Sequence, residues 1–208
     1  MDSQKGSPVA ENADASRCWW CGNDPLYIRY HDTEWGFPVD EDHRLFEKIC
    51  LEGFQAGLSW LTILKKRESF REAFHQFDFE RVARMTQRSV EKLVTNAAIV
   101  RHRGKIESTI NNARRARDLA DEHGSLAAYF WSHEPTQSVL IRSQEDVRST
   151  SPESVTLSRD LKKRGWTFVG PTTCYAFMQA MGLVNDHLKT CKSFDVVKRA
   201  RQRFQPPQ

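Results

Sequence analysis

Residues 161–182 read LKKRGWTFVGPTTCYAFMQAMG, and the organisation of the chain can be worked outward from them. The first part is a charged, leucine-punctuated helix pattern that closes at Gly165. The last part restarts helical spacing at Pro171, a residue suited to a first turn because its missing N–H would have no partner there. Between them WTFVG makes a short turn in which Gly170 would permit close backbone approach. A turn that leads into a fresh helix N-terminus presents backbone amides to an anion. Lys163 before the turn and Thr172 after it are the polar side chains best placed to join them. Charge runs such as KKRG (162–165) are more often solvated helix faces, so the turn and not the charge carries the signal.

Outward from this unit the apolar spacing stays helical. From Glu41, the positions Leu45, Phe46, Ile49 and Cys50 keep a helical period that stops between Gly53 and Gly57. Ser59 is a suitable N-cap for a helix carrying Trp60, Ile63 and Leu64 and extending to Phe70, Ala73 and Phe74. Asp78 and Ser89 precede short periodic segments built on Val82 with Met85 and on Val90 with Leu93 and Val94. The spacing predicts a longer helix over 105–121, with Ile106, Ile110 and Ala113 inward, and helical character again in SLAAYFWSH (125–133). Residues 17–40, rich in aromatics, Asp, Gly and Pro, read as short turns with one helical turn. Residues 132–156, polar and Ser-rich, read as a long loop. Sustained period-two alternation and repeats are both missing from the sequence. The expected fold class is all-α, with one domain over 17–192 between a disordered tail (1–16) and a basic tail (193–208).

The 208 residues are enough to bury a genuine core, and the net charge of +4 leans only weakly towards an anionic partner. The N-terminal stretch has no apolar run of the signal-peptide kind, and nothing is long enough to span a bilayer. Five cysteines, an odd number, point to reduced thiols and a cytoplasmic protein.

Two stretches carry candidate chemistry. In NDHLKTC (185–191), His187 and Cys191 stand four apart; on a helix such positions share one face, so the pair could grip one metal ion. Two partner pairs are open on spacing alone: Cys18 with His31, or the CxxC pair Cys18 and Cys21. Either set would be closed, hence structural, and would join the two ends of the domain. In ICLEGFQAGLSW (49–60), Glu52 sits in an apolar run. A Glu so placed more often faces solvent; a buried one needs compensating hydrogen bonds. Grouped with Tyr30, Trp35 and Trp60, it would make a pocket for a flat, hydrogen-bond-donating, cationic ligand such as an alkylated nucleobase. VRHRGK (100–105) and RRAR (114–117) add positive charge, with Arg101 and Arg103 as candidate DNA contacts.

These residues converge on one family. DPLYIRYHDTEWG, LFEKICLEGFQAGLSWLTILKKRE, RHRGKI and FVGPTTCYAFMQAMGLVNDH closely resemble DNA-3-methyladenine glycosylase I, over about residues 18–191. The resemblance implies an all-α helix-hairpin-helix DNA glycosylase fold. It implies a structural zinc on Cys18, His31, His187 and Cys191, joining the N- and C-terminal segments. It implies a monomer that excises 3-methyladenine from alkylated double-stranded DNA. By matching positions, Glu52 is the catalytic residue, with Tyr30 hydrogen-bonding the base and Trp60 stacking on it. Trp20 and Trp35 match aromatics around the pocket. Gly57 and Leu58 match the turn that fills the duplex once a nucleotide is flipped out. Two features depart from the pattern. Ala176 stands where a serine is common in the family, and Asp186 falls near the catalytic Asp of other helix-hairpin-helix glycosylases, a role the resemblance does not extend to it.

The expected chemistry is hydrolytic and monofunctional: a base methylated at N3 is cationic and already weakly bonded, so recognition matters more than strong acid catalysis. With no lysine singled out as a nucleophile, no Schiff base or strand cleavage is expected. The rival expectations are a non-catalytic binder of alkylated DNA, to which only Ala176 points, and a zinc hydrolase or deaminase. The latter lacks both an open metal position and the H-x-E with P-C-x-x-C pattern.

Overall fold

The computed structural model describes residues 16–137 and 139–208; of the tail expected at 1–16, all but Ser16 lies outside them. The described residues contain helices and no strand. In chain order the α-helices are α1 (Pro25–Thr33), α2 (Asp42–Gln55), α3 (Trp60–Lys65), α4 (Arg67–Ala73), α5 (Phe79–Val82), α6 (Gln87–Leu93) and α7 (Arg103–His123), followed by α8 (Leu126–Trp131), α9 (Pro152–Lys163), α10 (Pro171–Ala180) and α11 (Lys192–Arg203).

α2 is the axis of the fold. Glu41 caps its start, accepting from the backbone N–H of His43 and Arg44 (3.0 and 2.7 Å). Every residue from Leu45 to Phe54 is buried, because α3, α7, α8 and α10 pack around it. A helix enclosed this way is normally apolar all round. Here Glu47, Lys48 and Glu52 lie inside, and each needs a partner. Glu47 has one in Arg71 of α4, whose guanidinium donates to both carboxylate oxygens at 2.9 Å. Behind α2 the rings of Phe54, Phe70, Phe74 and Phe77 succeed one another at 4.5, 6.4 and 5.7 Å. Burying each contributes roughly 1.5–3 kcal/mol.

Four boundaries differ from the sequence expectation, each for a local reason. Residues 25–33 make a nine-residue helix and not a single turn, because the Asp24 side chain caps Leu26 N–H and Pro25 occupies the first turn. The helix expected over 59–74 divides at Lys66, whose Nζ donates to the carbonyls of Ala97 and Ala98 (both 3.1 Å). Within the expected loop 132–156, α9 already begins at Pro152, set by a capping box between Ser151 and Ser154. Its inner face is Ser154, Leu157, Ser158 and Leu161, and the small hydroxyls disguise the apolar stripe. Finally, 193–208 is no tail at its start: α11 runs to Arg203 and buries Phe194 and Val197 among its basic residues.

The sequence unit that opened the reading becomes α9, a turn and α10, packed on one another, with α10 also against α2. Phe168 in the turn adopts a positive φ of 55° and is exposed. Its backbone passes so close to α2 that a Cβ on Gly53 would stand 3.3 Å from it.

Candidate active site and metal centre

A cavity of about 250 Å³ opens between α1, the C-terminal half of α2, the start of α3 and α10. Glu52, Tyr30, Trp60, Trp35 and Trp20, the five residues expected around a base, all line it. Trp19, Tyr27, Gln55, Val147, Ala176, Gln179 and Asp186 complete the wall. Aromatic rings brace each other around it: Trp20 meets Trp35 edge-on at 4.8 Å and Tyr27 at 5.2 Å, and Tyr30 lies 5.5 Å from Trp60. Ala176 offers only a methyl group to the cavity. Asp186 is buried and held by Tyr175 Oη (2.7 Å) and Gln179 Nε2 (2.8 Å), both donating to its Oδ2.

Glu52 is 6% exposed, so the reading in which it simply faces solvent does not hold. Its partner is Lys48, one turn earlier on α2 and equally buried, with Nζ 2.6 Å from Glu52 Oε1. Lys48 was not visible as a site residue in the sequence: a Lys and a Glu four apart on a helix usually make an exposed pair. Burial lowers the Lys48 ammonium to about 8, against the pull of Glu52 in the other direction. Burial likewise raises the Tyr30 phenol well above its ordinary range. Gln55 and Gln179 gave no sequence signal of their own; each follows a wall residue at helical spacing.

Two segments far apart in sequence, around residues 18–31 and 187–191, meet beside this cavity. Cys18, His31, His187 and Cys191 are all buried, and their donor atoms lie within 4.8 Å of one another. Sulfur and nitrogen stand 3.6 Å apart in Cys18–His187 and 3.5 Å apart in Cys191–His31 and Cys191–His187. A tetrahedral zinc with ordinary Zn–S and Zn–N bonds requires about 3.6 Å between such neighbours. The outer ring nitrogens are engaged as metal-bound imidazoles require: His31 Nδ1 with Asp32 Oδ1 (2.8 Å) and His187 Nε2 with the Trp35 carbonyl (3.0 Å). Asp32 is held well below the usual carboxylate range, against burial, by Arg17, His31 and Lys192. These four residues fit a four-coordinate ion. Cys21 does not belong with them, because a short 3₁₀ turn at Trp19–Cys21 directs its thiol back to the Cys18 carbonyl (3.2 Å).

A third group of expected residues lies on one outer face. Gly57, with φ of +82°, and Leu58, 41% exposed, form the turn between α2 and α3. The positive φ there favours glycine. From α7 the Lys105 ammonium reaches under this turn to the carbonyls of Phe54 (2.9 Å) and Ala56 (2.5 Å). His102, before α7, meets the Phe168 ring edge-on at 6.2 Å, so the RHRG segment and the α9–α10 turn adjoin. Gly170 caps α10; among the described residues no side chain hydrogen-bonds that helix end, and a Cβ added at Gly170 would meet nothing within 4 Å. Thr172 and Lys163 are exposed on either side of the turn, as is Arg101 near its base. Arg103 is committed elsewhere: its guanidinium makes two 2.9 Å hydrogen bonds to the Glu91 carboxylate.

Comparison with known proteins agrees with this geometry. Residues 20–194 match the family model described as methyladenine glycosylase. The chain is 52% identical over 178 residues to DNA-3-methyladenine glycosylase 1 of Escherichia coli K12, covering 84% of this chain and 95% of that one. It is 48% identical over 182 residues to DNA-3-methyladenine glycosylase of Haemophilus influenzae, covering 85% and 96%. Among solved structures, a crystal structure of 3-methyladenine DNA glycosylase I superposes with a TM-score of 0.80 at 50% identity, over 85% of this chain and 98% of that one. The Staphylococcus aureus 3-methyladenine DNA glycosylase I, solved for its recognition of 3-methyladenine, superposes with a TM-score of 0.80 at 39% identity, over 83% and 93%. With the family model matched along nearly the whole described chain and curated relatives of about half identity covered over 95% and 96% of their length, this protein belongs to the methyladenine glycosylase family.

Proposed function

We propose that this chain is a DNA base-excision repair glycosylase that hydrolyses the N-glycosidic bond of 3-methyladenine in alkylated double-stranded DNA. The observation that carries the reading is Glu52, a buried carboxylate in an aromatic-walled cavity. N3-methylated adenine is flat, cationic and carries an exocyclic amine, which suits that cavity in shape, charge and hydrogen bonding. In this reading the target nucleotide leaves the stack, at a cost of a few kcal/mol, and its base enters the cavity. Glu52 accepts a hydrogen bond from the exocyclic amine, Tyr30 contributes a second one, and Trp60 stacks, with Trp35 and Trp20 closing the wall. The base departs with the bonding electron pair, which neutralises it, and water adds to the sugar carbon and gives up a proton.

Leu58 and Gly57 fill the space left in the duplex. The α9–turn–α10 unit serves as a helix-hairpin-helix: a phosphate lies against the open α10 N-terminus at Gly170 and Thr172, where a side chain would obstruct it. Lys163 and Arg101 add charge. Cys18, His31, His187 and Cys191 would hold a zinc ion, which would supply structural cross-linking between the N- and C-terminal segments.

The test is release of free bases from methylated duplex DNA, with Glu52→Gln as control. Release of 3-methyladenine by the wild type and a loss of at least about 100-fold in the variant are expected, as for removal of one transition-state hydrogen-bonding group. Undiminished release by Glu52→Gln would remove Glu52 from the mechanism. Binding without release by the wild type would make the protein a reader of alkylated DNA.

A further inference from the structure

Behind the wall of the cavity lies a buried charge to which the reading above gives no part. Lys48 Nζ does not line the cavity. It sits among Tyr30, Trp60 and Leu51 on the far side of their side chains, with Glu34, Arg44, Glu47 and Arg67 as the charged groups nearby. Glu34 is taken by Arg67 (2.5 and 3.0 Å) and Glu47 by Arg71, so Lys48 is left to the pocket residues.

An ammonium has three N–H bonds. Lys48 Nζ lies 2.8 Å from Tyr30 Oη, 2.6 Å from Glu52 Oε1 and 3.2 Å from the centre of the Trp60 ring. All three of its protons therefore face groups that the proposed function places on the base. A buried ion pair is weak support for stability, since desolvation offsets most of the attraction. Its geometric effect is definite. Tyr30 Oη accepts from Lys48, so its own proton remains for donation, and it has no second hydrogen-bond partner among the described residues. Glu52 Oε1 is tied to Lys48, which leaves Oε2 as an acceptor. The wall thus carries one donor and one acceptor of fixed sense.

We propose that Lys48 is a positioning residue that sets the hydrogen-bond polarity of the base pocket, making Tyr30 a donor and Glu52 an acceptor, and so favours adenine over guanine. The proposal rests on the reading of the cavity as a base site. On its Hoogsteen edge adenine presents an acceptor, N7, beside a donor, the N6 amine, whereas guanine presents two acceptors, N7 and O6. A donor–acceptor pair matches the first and leaves Glu52 opposed to an oxygen in the second. Without Lys48, Glu52 Oε1 loses the partner that ties it down and Tyr30 could face either way. Both changes relax the choice.

The experiment compares wild type with Lys48→Met and Lys48→Arg on duplex DNA carrying 3-methyladenine and 3-methylguanine, recording single-turnover excision of each base. Lys48→Met is expected to lose 10- to 100-fold on 3-methyladenine and to lower the 3-methyladenine to 3-methylguanine ratio at least fivefold. Lys48→Arg, which keeps the charge and donors, recovers most of both. Lys48→Leu, which likewise carries no donor, covers the case in which the methionine variant does not fold; it too should lower the ratio. A folded Met or Leu variant with an unchanged ratio overturns the proposal, whatever its rate. If Glu52→Gln abolishes excision while the ratio stays fixed in the Lys48 variants, this inference alone fails. If Glu52→Gln is fully active, the reading of the cavity fails first.

Discussion

Lys105 offers the most direct test of how the outer face is held. Its side chain is 7% exposed, and its Nζ donates to the carbonyls of Phe54 and Ala56, where α2 ends. Carbonyls at a helix C-terminus have no partner within the helix, and this ammonium supplies one from α7. In Lys105→Met the stem packing is kept and both bonds are lost. Hydrogen bonds to a charged group contribute about 1.5–3 kcal/mol each, and the stranded carbonyls add a desolvation cost. Against that stands the penalty of burying the amine, which lowers its pKa in the native protein. The net loss should be about 2–4 kcal/mol. For a chain of this size that is a fall of roughly 5–15 °C in Tm. The functional consequence should be selective. Lys105 does not line the cavity, so binding of free 3-methyladenine, followed by tryptophan fluorescence, should stay within about twofold of wild type. Excision from duplex DNA should fall at least about tenfold as the Gly57–Leu58 turn loosens, the scale expected when a catalytic arrangement is displaced by an ångström or less. A Tm within 2 °C of wild type together with unimpaired excision would refute the argument. Equal losses in free-base binding and duplex excision would show that the cavity itself depends on Lys105.

Three further outcomes can be checked. His187→Ala should release the metal and lower Tm by more than 10 °C, because it breaks a closed ligand set and strands the Trp35 carbonyl; metal content by atomic absorption and a melting curve test it. A fully stable, metal-free, inactive variant would argue against a structural role. Arg101→Ala should weaken duplex binding and reduce the salt slope by about one, whereas Arg103→Ala should do much less, since Glu91 already holds that guanidinium; titrations at several salt concentrations separate the two. Lys48 titrates near 8 in the folded protein and near its ordinary, higher value when unfolded. Between those values the unfolded chain holds the extra proton, so stability gains with rising pH. The Tm difference between wild type and Lys48→Met should therefore shift in favour of wild type from pH 8 to 10, and a flat difference would sink that assignment.

What the sequence made legible follows from how locally each feature is encoded. α2, α7 and α10 were visible because their apolar period and end signals lie within single windows. α11 was not, since Phe194 and Val197 are too few among basic residues to mark a stripe, and its packing depends on distant partners. α9 was foreshortened because buried serines resemble loop composition. At the site, each tryptophan could be named, but only the fold brings Trp20, Trp35 and Trp60 to one cavity. Spacing alone favoured the CxxC pair of Cys18 with Cys21 over Cys18 with His31; a short 3₁₀ turn aims the Cys21 thiol at the Cys18 carbonyl and away from the other three residues, and residue spacing does not report such a turn. Lys48 shows the reverse failure. It stands four residues before Glu52, a spacing the sequence shows, but whether such a pair faces water or the interior is set by what packs over it.

The joining of segments so far apart in sequence has a temporal consequence. Cys18 and His187 are separated by 169 positions, and His187 reaches past the cysteine to the carbonyl of Trp35 in the cavity wall. During synthesis the ribosome must deliver nearly the entire polypeptide before that wall has its support. A nascent chain therefore carries the recognition residues of α1 and α2 long before they can be locked together. Premature termination before residue 187 would yield fragments without a finished cavity, so an incomplete product would have little capacity to pull bases from the genome.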